Sequence, residues 1–133
     1  MVDSSVILDV MSETPLWREW SSAALREAAD RAPLVLNPII YAEVSVRFSR
    51  REELDEILSS LAFVREPIPY EAAFLAGKAF LAYRRRGGLR ISPLPDFFIG
   101  AHAAVAGHEL LTRDAARYRT YFPTLSLLAP EQT

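Results

Sequence analysis

Leu34-Val35-Leu36-Asn37-Pro38-Ile39-Ile40-Tyr41-Ala42-Glu43-Val44 is the stretch that decides the fold class. Its first three residues form a short unbroken apolar run, compatible with a strand that is buried on both faces of a parallel sheet. Pro38 then opens a helix, because its ring pre-sets the helical φ and its missing N–H would have no partner in the first turn anyway. The chain passes from buried strand to helix almost at once, the step from which parallel α/β layers are built. This helix, expected over 39–48, is apolar nearly all round through Ile39, Ile40, Ala42, Val44, Val46 and Phe48, which leaves few solvated faces for Glu43. An i, i+4 pair with Arg47 is the competing reading, and it would contribute only tenths of a kcal/mol.

The alternation continues in both directions. Residues 1–3 read as the clipped end of a short strand, and Ser4-Ser5 as a turn into the apolar run 6–10. Thr14-Pro15 is a helix start, a capping hydroxyl followed by proline, and predicts a helix to about Ala32 with Trp17, Trp20, Ala24 and Ala28 on one face. A third helix over 51–61 repeats Leu54, Ile57, Leu58 and Leu61 at helical spacing, and 62–64 is a candidate strand. After Pro67 and Pro69, a long helix over 70–86 has Phe74, Gly77, Phe80 and Leu81 as its expected inner face and ends at Gly87-Gly88. The Gly-, Ser- and Pro-containing stretch to Pro95 reads as a surface loop. Asp96 is placed as the cap of a further helix, whose small residues over 100–107 suit a close approach to the sheet. Residues 110–112 give another strand, 115–118 a short helical piece and 125–128 a last strand. The pattern predicts one α/β domain over 1–133, a sandwich with a largely parallel sheet. Ligands of such sheets sit beyond the carboxyl ends of the strands, where Asp3 and Asp114 fall.

Composition narrows the chemistry. The chain has 133 residues, half of them apolar, enough to bury the core of one domain. No apolar run is long enough to span a bilayer, and the first residues lack the basic start and small-residue cleavage site of a secretory signal. Cysteine is absent, which excludes disulfides, thiolate metal sites and cysteine nucleophiles and fits the cytoplasm. A net charge of −2 argues against tight unassisted binding of nucleic acid through its phosphates. The basic residues are grouped, however: Arg47, Arg50 and Arg51; Arg84, Arg85, Arg86 and Arg90; Arg113, Arg117 and Arg119.

Four acidic positions remain as candidates for chemistry: Asp3, Glu43, Asp96 and Asp114. Taken singly, Asp3 fits a turn or helix cap, Asp96 an N-cap and Asp114 the cap of the short helix that follows it. Taken together, they converge towards one sheet edge, with the Thr112 hydroxyl beside them. Converging carboxylates repel one another, so the cluster calls for protons or cations. An all-oxygen ligand set with no Cys and two unremarkable histidines, His102 and His108, favours magnesium or manganese over zinc. Such ions retain water and bind phosphates, which makes a phosphodiester the expected substrate.

Four segments carry a family resemblance: Val2-Asp3-Ser4-Ser5-Val6-Ile7-Leu8, Asn37-Pro38-Ile39-Ile40-Tyr41-Ala42-Glu43-Val44, Pro95-Asp96-Phe97-Phe98-Ile99-Gly100-Ala101-His102-Ala103, and Leu110-Leu111-Thr112-Arg113-Asp114-Ala115-Ala116-Arg117-Tyr118. Together with the closing run 125–130, they resemble the PIN-domain family, specifically its VapC toxin branch, over essentially the whole chain. The departures are two residues before Asp3, and Phe97-Phe98 where smaller or polar residues are common. The resemblance implies a PIN-like three-layer α/β/α sandwich with a mainly parallel central sheet. It further implies a metal-dependent endoribonuclease, the toxin of a toxin-antitoxin pair, which hydrolyses tRNA or other structured RNA and so inhibits translation. Asp3, Glu43, Asp96 and Asp114 would hold one or two Mg2+ or Mn2+ ions, supported by Ser5 and Thr112. An ion-activated water would attack phosphorus in line, leaving a 3′ hydroxyl and a 5′ phosphate. A homodimer and a VapB-like antitoxin partner are implied too, the antitoxin tail lying in a groove that Trp17, Trp20, Phe48 and Tyr70 would line if they are not core residues. Arg84, Arg85, Arg86 and Arg113 are the candidate RNA contacts, although the first three also suit an ordinary helix terminus before Gly-Gly. His102 and His108 read as structural.

Three other readings are open to the residues alone. A catalytically weak PIN-like module that binds a protein partner would use the acids as caps, against which the intact spacing of all four argues. A receiver-type phosphoacceptor domain would need an acidic pair and a late-strand Lys, whereas Lys78, the sole lysine, falls in mid-helix. A metal-dependent DNase shares the chemistry, since carboxylates that meet metal and phosphate do not sense the 2′ hydroxyl.

Overall fold

A computed structural model describes residues 1–12, 15–91 and 94–131. Eleven elements follow in order: α1 Ser4–Met11, α2 Pro15–Arg31, β1 Val35–Leu36, α3 Pro38–Ser45, α4 Arg51–Ser60, β2 Val64–Arg65, α5 Tyr70–Arg85, α6 Pro95–Ala106, β3 Leu110–Leu111, α7 Ala116–Tyr121 and β4 Leu127–Leu128. The capping hydroxyl expected at Thr14 and positions 92 and 93 of the expected loop lie outside the described residues.

Among the described residues every strand pairing is parallel: β1 with β2, β3 with β4, and Val2 with Leu111. The N-terminal segment joins the two pairs into one layer. Val2 N–H donates to Val35 O at 3.0 Å, Asp3 N–H to Leu111 O at 2.8 Å and Leu111 N–H to Met1 O at 2.9 Å. The spatial order is therefore β2, β1, the N-terminal segment, β3 and β4, with Val2, Leu36, Leu110 and Leu111 buried at its centre. Among the described residues no helix is long and apolar enough to cross a membrane.

Four local expectations are corrected. Ser4-Ser5 is not a turn but the first turn of α1, which the run 6–10 continues with Val6 and Ile7 buried; the chain leaves the sheet at Asp3, which takes the extended N-cap conformation. The inner face of α5 is Ala72, Ala76 and Ala79, whereas Phe74 is 69 % exposed and Gly77 and Leu81 are also exposed. That helix packs along α6, and small side chains permit the approach where bulky ones would hold the backbones apart. Asp96 does not cap α6: Leu94 is the N-cap, Pro95 opens the helix, and Asp96 lies one residue further in. Nor does Asp114 cap α7, whose N-cap is Ala115.

Gly100 serves a close approach as expected, but to α7 and its end rather than to the sheet. A Cβ there would stand 2.6 Å from the Phe122 ring and 3.0 Å from that of Tyr118. Gly107 ends α6 at φ 72°, in the left-handed region that only glycine enters without strain. Of the aromatic residues weighed for a groove, Trp20 and Phe48 pack against the core, Trp17 is half-buried, and Tyr70 is almost fully exposed.

Candidate active site

Asp3 ends the central N-terminal segment of the sheet and is 4 % exposed. It occupies the N-cap position of α1 without using its carboxylate as a cap. The carboxylate instead takes hydroxyl donors: Thr112 Oγ1 at 2.7 Å and Ser5 Oγ at 3.1 Å on Oδ2, and Ser4 Oγ at 3.5 Å from Oδ1. Ser4 Oγ donates its shorter bond, 2.9 Å, to Glu43 Oε1, and so ties α1 to α3. Ser5 and Thr112 also accept from the backbone, from Arg113 N–H at 3.3 Å and Asp114 N–H at 3.1 Å, which fixes the turn after β3 around Asp3.

Asp96 comes from the first turn of α6. Its Oδ1 faces the Tyr118 hydroxyl at 3.4 Å and its Oδ2 faces Arg117 Nη1 at 3.2 Å. Asp114 stands exposed at the rim, 3.5 Å from Arg113 Nη1. The fold thus brings Asp3, Glu43 and Asp96 within one another's electrostatic field, and Asp114 within that of Asp96.

Charge in this cluster is under-compensated. Burial pushes the Asp3 carboxyl above its ordinary range, and the field of Asp96 adds to the shift against the hydroxyls of Thr112 and Ser5. Glu43 is likewise raised by burial, then by Asp3 and Asp96, with Ser4 opposing. Asp96 is raised by burial and by Asp114, while Arg117 and Tyr118 pull it down. Tyr118, fully buried and facing Asp96, has its hydroxyl pushed well above the usual tyrosine range by burial and by the negative fields of Asp3, Asp96 and Glu43, so it stays a proton donor.

Ser4, Arg117 and Tyr118 are the residues of this site that sequence reasoning missed. Ser4 carried a usable signal, its position directly after Asp3; Tyr118 and Arg117 lie in the quoted Asp114 segment with nothing local to mark them. Of the candidate RNA contacts, Arg113 closes its guanidinium on Asp9, with Nε–Oδ2 2.8 Å and Nη2–Oδ1 3.2 Å, and lies 5.5 Å over the Trp17 ring. Arg84 donates to the carbonyls of Gly88 and Arg90, at 3.2 and 2.8 Å, and Arg86 lies over the Tyr121 ring; Arg85 is exposed beside them.

A second ionisable cluster lies further along the same helix. Glu66, His102 and His108 each bring a ligand atom within 4.8 Å of the others, and among the described residues this is the group that draws so close. Asn37 sets its chemistry. Its Oδ1 caps α3 by accepting Ile40 N–H at 3.0 Å, so its Nδ2 is the atom facing His102 Nδ1 at 3.1 Å. The neutral imidazole then carries its proton on Nε2, aimed at Glu66 Oε1 at 3.3 Å, while His108 Nε2 meets the same oxygen at 2.8 Å. Two N–H donors thus satisfy one carboxylate. A metal would need His102 to move its proton to Nδ1, against the Asn37 amide N–H.

The PIN domain family matches residues 1–123. The chain belongs to the PIN domain family. PIN domains are generally nucleases, which fits an acidic site at the carboxyl ends of parallel strands. The fold of this PIN domain is similar to solved structures of VapBC2 from Rickettsia felis bound to a DNA fragment from their promoter, with 19 % identity, TM-score 0.73 and 98 % of each chain covered. VapBC-1 from nontypeable Haemophilus influenzae gives 18 % identity and TM-score 0.72 over 97 % of this chain and 96 % of that one. FitAcB from Neisseria gonorrhoeae gives 19 % and 0.64 over 95 % and 94 %. No curated protein is a detectable relative in sequence.

Proposed function

We propose that residues 1–133 form one PIN domain acting as a divalent-metal-dependent endoribonuclease, the toxin of a toxin-antitoxin pair. The observation that carries this reading is the convergence of Asp3, Glu43 and Asp96, all held above the ordinary carboxylate range, with no ion pair to Asp3 or Glu43 among the described residues. Oxygen donors with unmet negative charge fit a hard cation, magnesium or manganese. When bound, such an ion would supply an activated water and stabilise charge developing at the phosphate. The chain's own part is positional: Ser4, Ser5 and Thr112 orient the carboxylates, and the Tyr118 hydroxyl donates to Asp96.

RNA as substrate, inhibition of translation, a cytoplasmic location, a homodimer and a VapB-like protein partner complete the proposal. The partner is supported by the fold's likeness to VapBC and FitAcB complexes. Asp114 joins the site as a rim ligand, and Arg84, Arg85 and Arg86 as backbone contacts for RNA.

The test is cleavage of single-stranded and structured RNA by the parent chain and Asp96→Asn, stripped of metal and then resupplied with magnesium or manganese. Asparagine keeps an acceptor for Tyr118 but removes the charge. Metal-dependent cutting by the parent and none by a folded Asp96→Asn is the expected result. Equal cutting by both, or none by either, overturns the proposal; DNA cut in preference to RNA overturns its substrate.

A further inference from the structure

The acidic site is lopsided in its counter-charge. At one end, Asp3 and Glu43 receive neutral hydroxyls from Ser4, Ser5 and Thr112. At the other, Asp96 has Arg117 against it at 3.2 Å. The arginine nearby in sequence shows that this is not a generic placement. Arg113 spends its planar fork on Asp9 in a two-point ion pair, its side chain 26 % exposed. Arg117 reaches Asp96 through one nitrogen, lies 6.0 Å over the Phe97 ring and is 41 % exposed. A guanidinium has five N–H donors, and among the described residues Arg117 engages one nitrogen, with Asp96, while its side chain stays 41 % exposed.

Hydrolysis of a phosphodiester forms a bond from water oxygen to phosphorus and breaks the bond to the leaving oxygen, which takes up a proton. Negative charge on the non-bridging oxygens must be met throughout, either by a second metal ion or by a fixed cation. Arginine suits the role because it is always charged and its fork matches phosphate oxygens two at a time.

Resting on the nuclease reading above, we propose that Arg117 is the second cation of this active site: one divalent ion belongs with Asp3 and Glu43, and Arg117 stands at Asp96 in the place of another, its remaining donors turned to the scissile phosphate. This places Arg117 against the substrate rather than in a structural ion pair. It also accounts for an ion pair on Asp96 where Asp3 and Glu43 have none among the described residues.

The experiment is a manganese titration of the full chain, followed by electron paramagnetic resonance without RNA, beside single-turnover RNA cleavage, for the parent, Arg117→Gln and Arg117→Lys. The parent binds one Mn2+ per chain and Arg117→Gln binds two. At manganese sufficient for one ion, Arg117→Gln cuts about 100-fold more slowly with its melting temperature unchanged, the scale expected on removing one preorganised donor to transition-state charge, and Arg117→Lys recovers part of the loss. Two ions in the parent, an unchanged count in Arg117→Gln, or parental cutting by that variant each overturn the proposal. A parent that cuts no RNA sinks the nuclease reading alone, and the change in manganese count still decides whether Arg117 fills a cation position.

Discussion

Helices α3 and α6 each serve two clusters of ionisable side chains, and the clusters have opposite electrostatic characters. Glu43 and Asp96 from these helices join Asp3 in a group of carboxylates that burial holds above their ordinary range. Asn37, the cap of α3, and His102, further along α6, join Glu66 and His108 in a group whose single carboxylate is held below its ordinary range, chiefly by the His108 hydrogen bond. The second cluster packs its ligand atoms the more tightly, yet its donors and acceptors already match. The first has hydroxyls and a single arginine against its carboxylates, and its charge is unmet. The proposed cation site thus differs from the histidine network in unsatisfied charge rather than in proximity.

The comparison breaks most sharply at Asp3. Asp3→Asn is expected to slow RNA cleavage by about 100-fold or more, on the scale of removing a preorganised charge partner. It should also abolish the rise in melting temperature that millimolar magnesium gives the parent, because a ligand stabilises only the state that binds it. Differential scanning fluorimetry with and without magnesium checks the second part; a variant still stabilised like the parent contradicts the assignment of the ion to Asp3.

Asn37→Asp should turn the second cluster into what it now only resembles. Aspartate keeps a capping oxygen for Ile40 N–H but offers His102 Nδ1 an acceptor in place of a donor, releasing the Nε2 lone pair towards Glu66 and His108. Tighter cobalt binding by about tenfold, read from visible absorption, is expected, the range commanded by a hydrogen-bond partner of a ligating histidine. Cobalt bound equally well by the parent would show that the Asn37 amide does not hold the tautomer.

Glu66→Gln tests the same cluster for stability. It should lower stability by about 1 kcal/mol, the scale of a net hydrogen bond, with the rate of RNA cleavage within about twofold of the parent. A cleavage loss as large as that of Asp3→Asn would merge the two clusters into one functional unit.

The smallest expected effect is in the pH dependence, where the clusters pull in opposite directions. Burial lowers the His102 pKa, so its contribution is fully present above the unfolded value of 6.5 and is lost as pH falls through the lower folded value. Asp3, Glu43 and Asp96 are raised, so the metal-free fold is favoured below their unfolded values and loses that contribution as pH rises through the folded ones. His102→Gln should therefore flatten the decline in melting temperature on acidification below pH 6.5, while Asp3→Asn should steepen it. Identical slopes in parent and variants would remove both assignments.

Much of this protein was legible in its sequence because much of it is local. The run Leu34–Leu36 followed by Pro38, the leucine spacing of α4, and Gly87 and Gly107 after α5 and α6 announce strands, helices and their ends through steric rules that act over a few residues. Asp3 and Asp114 at strand ends, and Glu43 on an apolar helix, pointed to an acidic site for the same reason. The misjudged parts are those where a neighbour distant in sequence sets the answer. Ala72, Ala76 and Ala79 face inward because α5 packs along α6; Asp96 is a local exception, misjudged although Leu94 and Pro95 beside it begin the helix.

The partners of each charge were decided by tertiary structure alone. Thr112 reaches Asp3 across 109 positions of chain, Arg113 reaches Asp9 across 104, and His102 reaches Asn37 across 65. A hydrogen bond holds only over about 3 Å. Sequence therefore determined the alternating elements and the acids they carry, because periodicity and capping act within a turn or two of chain. The fold decided which acids are left short of a cation and which arginine stands beside them, because those choices depend on separations that exist only once the sheet and its helices have packed.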